Sequence, residues 1–262
     1  MKKRPVFLLL LAIPFLFSPP SEAYLPGAAE ILAPLMRMAA GTETIGATGT
    51  VILPGTASTG DPPAVLEEKT FMKSPHACRF ETTIPGGIDV TIFDGRRSLA
   101  MVGQSRGIRD SLVSVLPAVL FLEKPLETLL NDLSFLGVST GRVALERFGG
   151  KIAYVIGNNE DIYPGSRLWI DKATGRPLRF EGHIFREGRP ASLRADFENY
   201  QDIRRGTAFP KEIVYVIDDL PAGRRVFTDI SRNVPLPDGL FAVPSTGNSP
   251  YPALSGFLDA RT

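Results

Sequence analysis

Residues 178–197, LRFEGHIFREGRPASLRADF, contain two runs in which apolar and polar side chains alternate. The apolar positions are Leu178, Phe180 and Ile184 in the first run and Leu193, Ala195 and Phe197 in the second. The polar positions between them include Arg179, Glu181, His183, Arg194 and Asp196. Successive side chains of a strand face opposite sides, so the pattern predicts a sheet with one apolar and one wetted face. Residues 226–230 continue it, with Val226, Thr228 and Ile230 opposite Phe227 and Asp229.

Shorter β-prone runs precede this segment, at residues 47–53, 69–73, 78–84 and 88–93. Turn residues separate the last three runs: Ser74-Pro75, Pro85-Gly86-Gly87 and Asp94-Gly95. Such short connections favour antiparallel hairpins, because a parallel crossover needs about a dozen residues. The sequence therefore predicts a mainly β (α+β) fold built on one large curved antiparallel sheet.

Two helical segments interrupt the strands. Residues 27–40 place Ile31, Leu32, Leu35 and Met36 on one stripe, with Pro34 expected to kink or divide the helix. Residues 108–137 predict either one further helix or two that divide at Pro117. In the second of these, Pro125 suits the first turn, an apolar stripe follows, and Gly137 ends the helix. That stripe consists of Leu126, Leu129, Leu130 and Leu133.

The N-terminus has the pattern of a secretory signal peptide. Lys2, Lys3 and Arg4 precede an apolar run at residues 6–17, and Ser21 and Ala23 suit a cleavage site. We therefore expect residues 1–23 to be removed, residues 24–244 to form one domain, and residues 245–262 to be a flexible tail. The only cysteine, Cys78, is far from the cleavage site, so we expect a periplasmic protein without a lipid anchor. Cys78 itself is expected to be a buried apolar residue.

Composition argues against a nucleic-acid partner, because 29 basic residues are balanced by 28 acidic ones. Arginine pairs occur at residues 96–97, 204–205 and 224–225. Most such pairs lie in solvated turns, and the alternative is contact with an acidic partner or a lipid headgroup.

Catalytic and metal patterns are weak. Gly-x-Ser-x-Gly occurs around Ser105 and around Ser139, but the βαβ setting of a nucleophile elbow is missing and His183 lies in an alternating strand. His76 and Cys78 supply two ligands where a tetrahedral site needs four. The acidic stretch at 158–161 lacks the spacing of a calcium loop. We predict no enzyme activity, no metal and no cofactor, with a Ser105 hydrolase as the least favoured alternative.

The remaining signal is apolar. The stripe formed by Leu126, Leu129, Leu130 and Leu133 could face apolar side chains of the sheet, namely Trp169, Phe180, Phe197 and Tyr215. An ordinary packed core explains each residue singly. A curved sheet closed by mobile helices would instead enclose a cavity for acyl chains, which gain about 0.8 kcal/mol for each buried CH₂. These eight residues are the candidate cavity lining.

Two segments resemble a known family. Residues 166–179, SRLWIDKATGRPLR, look like a strand–turn–strand of the LolA/LolB-like outer-membrane lipoprotein-sorting proteins, and residues 233–244, NVPLPDGLFAVP, are similar to their closing segment. The resemblance implies an unclosed β-barrel with a helical lid over a hydrophobic cavity. It also implies transfer of lipoprotein acyl chains from an inner-membrane exporter to an outer-membrane acceptor.

Our leading hypothesis is therefore a non-enzymatic carrier of acyl chains or another lipid, with transient contact to membrane surfaces. The alternative is an envelope-assembly scaffold whose apolar faces are fully packed.

Overall fold

The computed structural model describes residues 25–55, 62–95, 98–102, 105–107, 111–157, 165–186, 189–204 and 207–243. The predicted signal peptide, the acidic stretch at 158–161, the pair at 96–97, Arg205 and the predicted tail at 245–262 lie outside these residues. Predictions about them stay predictions.

The described chain forms thirteen strands and three α-helices. The strands are β1 Thr44–Leu53, β2 Ala64–Lys73, β3 Ala77–Ile84, β4 Gly87–Phe93, β5 Ser98–Val102, β6 Ser105–Gly107, β7 Val143–Phe148, β8 Lys151–Gly157, β9 Arg167–Asp171, β10 Pro177–Arg186, β11 Arg189–Arg204, β12 Thr207–Ile217 and β13 Leu220–Arg232. The helices are α1 Ala28–Ala39, α2 Ser111–Phe121 and α3 Leu126–Phe135, and a 3₁₀ helix follows at Asp238–Phe241.

All named strands belong to one antiparallel sheet in the order β6-β5-β4-β3-β2-β1-β13-β12-β11-β10-β9-β8-β7. The chain runs outward from β1 to the edge strand β6, crosses to the other edge strand β7, and returns to β13, which pairs with β1. The segment that crosses between the edges contains α2 and α3. The predicted mainly β fold, a curved antiparallel sheet that does not close, is confirmed.

The helices lie against one face of the sheet, here called the inner face, and share its main apolar cluster. Ile31, Leu32 and Leu35 of α1 are buried there, as the stripe predicts, and Met36 packs against them. Neither Pro34 nor Pro117 divides its helix. Within the described ranges, no helix is both long enough and apolar enough to cross a lipid bilayer.

The opposite, outer face carries two smaller apolar clusters. One consists of Ala153, Val155, Trp169 and Leu178, on β8 to β10. The other forms where the 3₁₀ helix places Phe241 against Val90 and Ile92 of β4. The closing segment singled out in the sequence therefore covers part of the outer face with apolar side chains.

Two β-bulges change the predicted faces. Between β9 and β10 the register shifts at Leu178, which joins Trp169 on the outer face while Phe180 lies in the main cluster. Between β1 and β13 the register skips Thr228, so Phe227 and Ile230 are buried together and Thr228 is exposed. The predicted faces of Leu178 and of residues 226–230 were therefore wrong, because a bulge adds one residue and reverses the alternation.

The bulge in β13 requires a glycine at position 49 of β1, opposite it. A Cβ atom on Gly49 would meet the backbone of Val226 and would lie 2.9 Å from Phe227 Cα. We expect Gly49→Ala to lower the free energy of unfolding by about 1–3 kcal/mol, because backbone atoms must shift to admit the methyl group. Urea denaturation followed by circular dichroism measures this.

Gly141→Ala is the matched control, since a Cβ atom at Gly141 meets nothing within 4 Å. We expect it to change stability by less than about 1 kcal/mol. Equal stability of the two variants would contradict this account of the bulge.

Candidate functional site

Seven of the eight predicted cavity residues meet in the main cluster between helices and sheet. Leu129, Leu133, Phe180, Phe197 and Tyr215 are buried in it, and Leu126 and Leu130 pack against it while partly buried. The stripe of α3 therefore faces the inner side of the sheet, as expected from its spacing.

Trp169 is the residue that the structure does not bring to this site. It pairs with Arg179 across β9 and β10, on the outer face, whereas its neighbours Leu168 and Ile170 face the main cluster. Its indole Nε1 donates a hydrogen bond to Glu146 Oε2 at 3.0 Å, and the Arg167 guanidinium lies 4.6 Å from its ring centroid. Strand alternation thus places Trp169 on the outer face of the sheet, where it is buried in the cluster that contains Leu178.

Helix α2 fills the inside of the curved sheet. Every residue from 115 to 122 is buried, and the sequence of this stretch, VLPAVLFL, contains no polar side chain. Near its C-terminal end the ring of Phe121 contacts three aromatic rings, with centroid distances of 5.7 Å to Phe197, 6.2 Å to Tyr200 and 5.0 Å to Phe209. A helix that is apolar on all sides is stable in water only when something covers every side of it.

Two clefts, of about 580 and 420 Å³, lie in the described part of the surface. Both are open to solvent, and each includes charged side chains in its walls. The larger cleft lies beside Glu43, Lys73 and Lys124. Neither cleft is the enclosed apolar cavity that the resemblance implies, because α2 occupies the corresponding space.

An ion pair between the buried Glu68 and the largely buried Arg225 interrupts the apolar wall of the inner face. The Arg225 guanidinium donates from Nε to Glu68 Oε1 at 2.9 Å and from Nη1 to the hydroxyl oxygen of Tyr215 at 3.2 Å. The same guanidinium lies 4.1 Å from the ring centroid of Phe80, a cation–π contact. The prediction of a solvated arginine pair is therefore wrong for Arg225, whereas Arg224, on the opposite face of β13, is half exposed and pairs with Glu212.

Its neighbours keep the Arg225 guanidinium charged. Burial alone would lower the pKa of Arg225, but the Glu68 carboxylate and Tyr215 outweigh it and raise the pKa. Burial likewise raises the pKa of Tyr215, which remains a neutral hydrogen-bonding phenol. Burial also raises the pKa of the Cys78 thiol to about 12, so Cys78 is the inert buried residue that the sequence predicts.

Polar contacts hold the junction of α2 and α3 to the end of the sheet. Lys124 Nζ, whose side chain is 2% exposed, lies 2.8 Å from Asp132 Oδ2 on α3. His76 Nδ1, in the turn before β3, lies 3.4 Å from the other oxygen of that carboxylate. The backbone of Glu123 adds two hydrogen bonds, donating to the Thr42 carbonyl and accepting from the Ser74 hydroxyl. We call Lys124, Asp132 and His76 the latch.

The pKa of Asp132 in the latch is lowered. Burial raises the pKa of Asp132, but the interactions with His76 and Lys124 outweigh it, and the pKa falls below the ordinary 3.8. A carboxyl group with a depressed pKa in the folded state stabilises the fold above its unfolded value. The Asp132 carboxylate is therefore ionised at neutral pH, and its contribution to stability is lost only as the pH falls below the ordinary 3.8 and through the lowered pKa of Asp132.

The weaker catalytic and metal patterns gain no geometric support. Ser105 begins strand β6 in a hairpin with β5, whereas a nucleophile elbow is a strand-to-helix turn. His183 lies exposed on β10. Among the residues that the structure describes, no three His, Cys, Asp or Glu side chains form a group able to hold a metal ion.

The sequence offered partial signals for the missed residues. Glu68 has the polar alternation of an exposed strand position, and Arg225 stands in a basic pair, so both looked solvated. Their partnership joins positions 157 residues apart. Lys124 offered a weak signal, because Glu123 and Lys124 are the first charges after a long uncharged run and directly precede Pro125 at a helix start.

We expect Arg225→Met to lower the free energy of unfolding by about 3–5 kcal/mol, because Glu68 is left buried without its cation. The double variant Glu68→Leu/Arg225→Met should recover most of this loss, since both charges are then absent. Urea denaturation of the single and double variants measures the coupling.

Arg224→Met removes a guanidinium from the adjacent, half-exposed position and should cost less than about 1 kcal/mol. A single Arg225→Met variant as stable as Arg224→Met would show that the buried pair is not an internal constraint.

Comparison with known proteins places the fold. The sequence matches no protein-family model and no curated protein. A LolA superfamily protein from Nitrosomonas europaea has a similar structure, with a TM-score of 0.55 and 14% identity over 84% of this chain and 99% of that chain.

Two further solved structures agree. A domain from Vibrio parahaemolyticus, described as an outer membrane lipoprotein-sorting protein, has a TM-score of 0.55 and 13% identity over 82% of this chain and 95% of that one. A DUF1329 family protein from Desulfovibrio piger has a TM-score of 0.50 and 10% identity over the same shares. This chain therefore has the fold of the LolA superfamily.

Proposed function

We propose that this protein is a non-enzymatic carrier that binds acyl chains of a lipoprotein, or another lipid, inside the curved sheet. In this proposal it works in the periplasm, receives its cargo from an inner-membrane exporter and delivers it to an outer-membrane acceptor. The cargo takes the place that α2 occupies in the structure.

The observation that carries the proposal is the apolar, buried stretch 115–122, which comprises most of α2 and the residue that follows it. Residues 115–122 pack against the apolar inner face of the curved sheet. In this proposal the cargo displaces them. An acyl chain offers the same chemistry, at about 0.8 kcal/mol for each CH₂ that leaves water. Exchange of helix for cargo would keep the inner face covered in both states.

Such an exchange requires two states of the helical lid. The cargo can shift the equilibrium only if it binds the open state more tightly than the closed one. The latch is the polar connection that holds α3 to the sheet, and α2 leads directly into it through Lys124. Release of the latch would loosen the α2–α3 junction, which the two backbone hydrogen bonds of Glu123 would then hold to the end of the sheet alone.

The fold comparisons support the same class of function. One neighbour carries the name of an outer membrane lipoprotein-sorting protein, and the predicted signal peptide would deliver this chain across the inner membrane. A Ser105 hydrolase has less support, since Ser105 lies in a strand and not in an elbow.

A packed interior favours the second candidate, an envelope-assembly scaffold. In that case α2 is a permanent core element, and Phe121 and its aromatic neighbours never separate. The two candidates differ in one measurable property, which is whether the interior accepts a lipid.

Native mass spectrometry of protein purified from envelope extract without detergent tests this difference. We expect a stoichiometric adduct of lipid or lipoprotein mass, and Leu130→Glu should reduce it, because Leu130 packs at the margin of the main cluster. A bare mass in every preparation, together with an unchanged fold, would favour the scaffold.

A second test addresses the latch. Asp132→Asn leaves Lys124 buried without its anion, at a cost of about 3 kcal/mol. We expect faster hydrogen exchange in residues 111–135 and faster uptake of a fluorescent fatty acid, by roughly two orders of magnitude if the whole cost favours opening.

Glu127→Gln, an exposed position in the first turn of the same helix, is the control and should leave both rates unchanged. Wild-type protein should show the same acceleration only at a pH well under the ordinary pKa of 3.8, because the pKa of Asp132 in the closed latch is lower than that value. If uptake in Asp132→Asn equals that of wild type, the latch does not gate the interior.

A further inference from the structure

The hairpin of β7 and β8 leaves apolar side chains exposed at one edge of the sheet. β7 is an edge strand whose partner in the sheet is β8. Leu145 and Ile152 are 47% and 48% exposed, and because the two side chains are neighbours on adjoining strands they form an exposed apolar patch and not a single exposed residue. Cross-strand pairing joins Leu145 to Tyr154 and Ile152 to Arg147.

These side chains lie on the inner face. Val143 pairs with Ile156, and both contribute to the main cluster, so every second residue of β7 follows on the same side. Tyr154 also packs against the main cluster. An apolar surface therefore continues from the covered interior, past Tyr154, to the exposed Leu145 and Ile152.

Positive charge borders this surface. Arg147 stands on the same face and is exposed. Lys172 Nζ lies 5.6 Å from the ring centroid of Tyr154, and the Lys172 backbone N–H donates to the Ile152 carbonyl at 3.0 Å. Within the described ranges, no acidic side chain forms an ion pair with Arg147 or Lys172. The acidic residue of β7, Glu146, faces the outer side and accepts the Trp169 hydrogen bond.

We propose that this surface, formed by Leu145, Ile152, Tyr154, Arg147 and Lys172, docks onto a membrane that contains anionic phospholipid. Apolar side chains that insert at the interface, bordered by cations that attract anionic headgroups, are the chemistry of reversible membrane binding. A second copy of this chain fits less well, because it would bring the same positive charges together.

The docking surface goes beyond the carrier role, because it concerns the membrane and not the cargo. Its position nevertheless suits a carrier, since the exposed apolar surface is continuous with the interior. Membrane binding and cargo binding are separate measurements, so either can fail without the other.

Flotation with lipid vesicles tests the proposal on protein purified from the cell envelope. We expect binding to vesicles that contain phosphatidylglycerol, little binding to pure phosphatidylcholine, and weaker binding at higher salt. Arg147→Gln and Lys172→Gln should each weaken binding roughly fivefold, in line with the attraction of a single cation to an anionic leaflet. Leu145→Ser/Ile152→Ser should weaken it roughly tenfold or more.

The control is Val65→Ser/Leu220→Ser, which removes two side chains that are 63% and 68% exposed on β2 and β13, in the middle of the sheet order. This variant should bind as wild type does. Each variant is first checked for an unchanged thermal unfolding midpoint.

Three outcomes would overturn the proposal. These are no binding to anionic vesicles, equal binding by the hairpin variants and wild type, or equal losses in the hairpin and control variants. Dimers that the hairpin changes dissociate in analytical ultracentrifugation, without vesicle binding, would assign the surface to a second copy instead.

Discussion

Coverage of one apolar sheet face is the constraint on which the rest of this structure depends. Strands β1–β4 and β7–β13 of the antiparallel sheet contribute apolar side chains to the inner face, and an antiparallel sheet is stable in water only when such a face is covered. The cover comes from the chain segment between the two edge strands, because β1 and β13 pair at the centre and leave β6 and β7 at the margins. Helices α2 and α3 must therefore cross the inner face, and their apolar composition follows from that position.

The same arrangement explains where charge is tolerated inside. Arg225 lies in the apolar wall only because Glu68, Tyr215 and the ring of Phe80 replace the water that a guanidinium would otherwise bind. Lys124 is buried at the α2–α3 junction with Asp132 as its anion. The two ion pairs differ in what they join. The first links two strands of the sheet, and the second links the helical cover to itself and, through His76, to the sheet.

The open edge gives the molecule an asymmetry that a closed barrel would lack. At β7 the inner face extends beyond the helices, and Leu145 and Ile152 stay in contact with solvent. A closed barrel would pair this edge and place the same residues in its interior. An unclosed sheet therefore has an apolar margin beside its interior. In the docking proposal, the cations at this margin favour a membrane surface that carries anionic lipid.

The sequence by itself determined the class of fold, because alternation in strands and helical spacing are local properties of consecutive residues. It also determined that Leu129 and Leu133 face inward together and that Cys78 is buried. The register of strand pairing was the first feature that the sequence did not predict. The bulges at Leu178 and Thr228 reverse the alternation of side chains between the two faces of the sheet, and no pattern in the neighbouring residues predicts them.

Contacts between residues far apart in the chain were the second feature that the sequence did not predict. Trp169 looked like a cavity residue until pairing with β10 placed it on the outer face, and Arg225 looked solvated until Glu68, far away in the chain, became its neighbour. Whether α2 fills the interior or covers a cavity was likewise decided by the tertiary structure. Strand alternation and helical spacing predict which side chains are buried, because both are properties of consecutive residues. Which buried side chains contact one another is determined only by the tertiary structure.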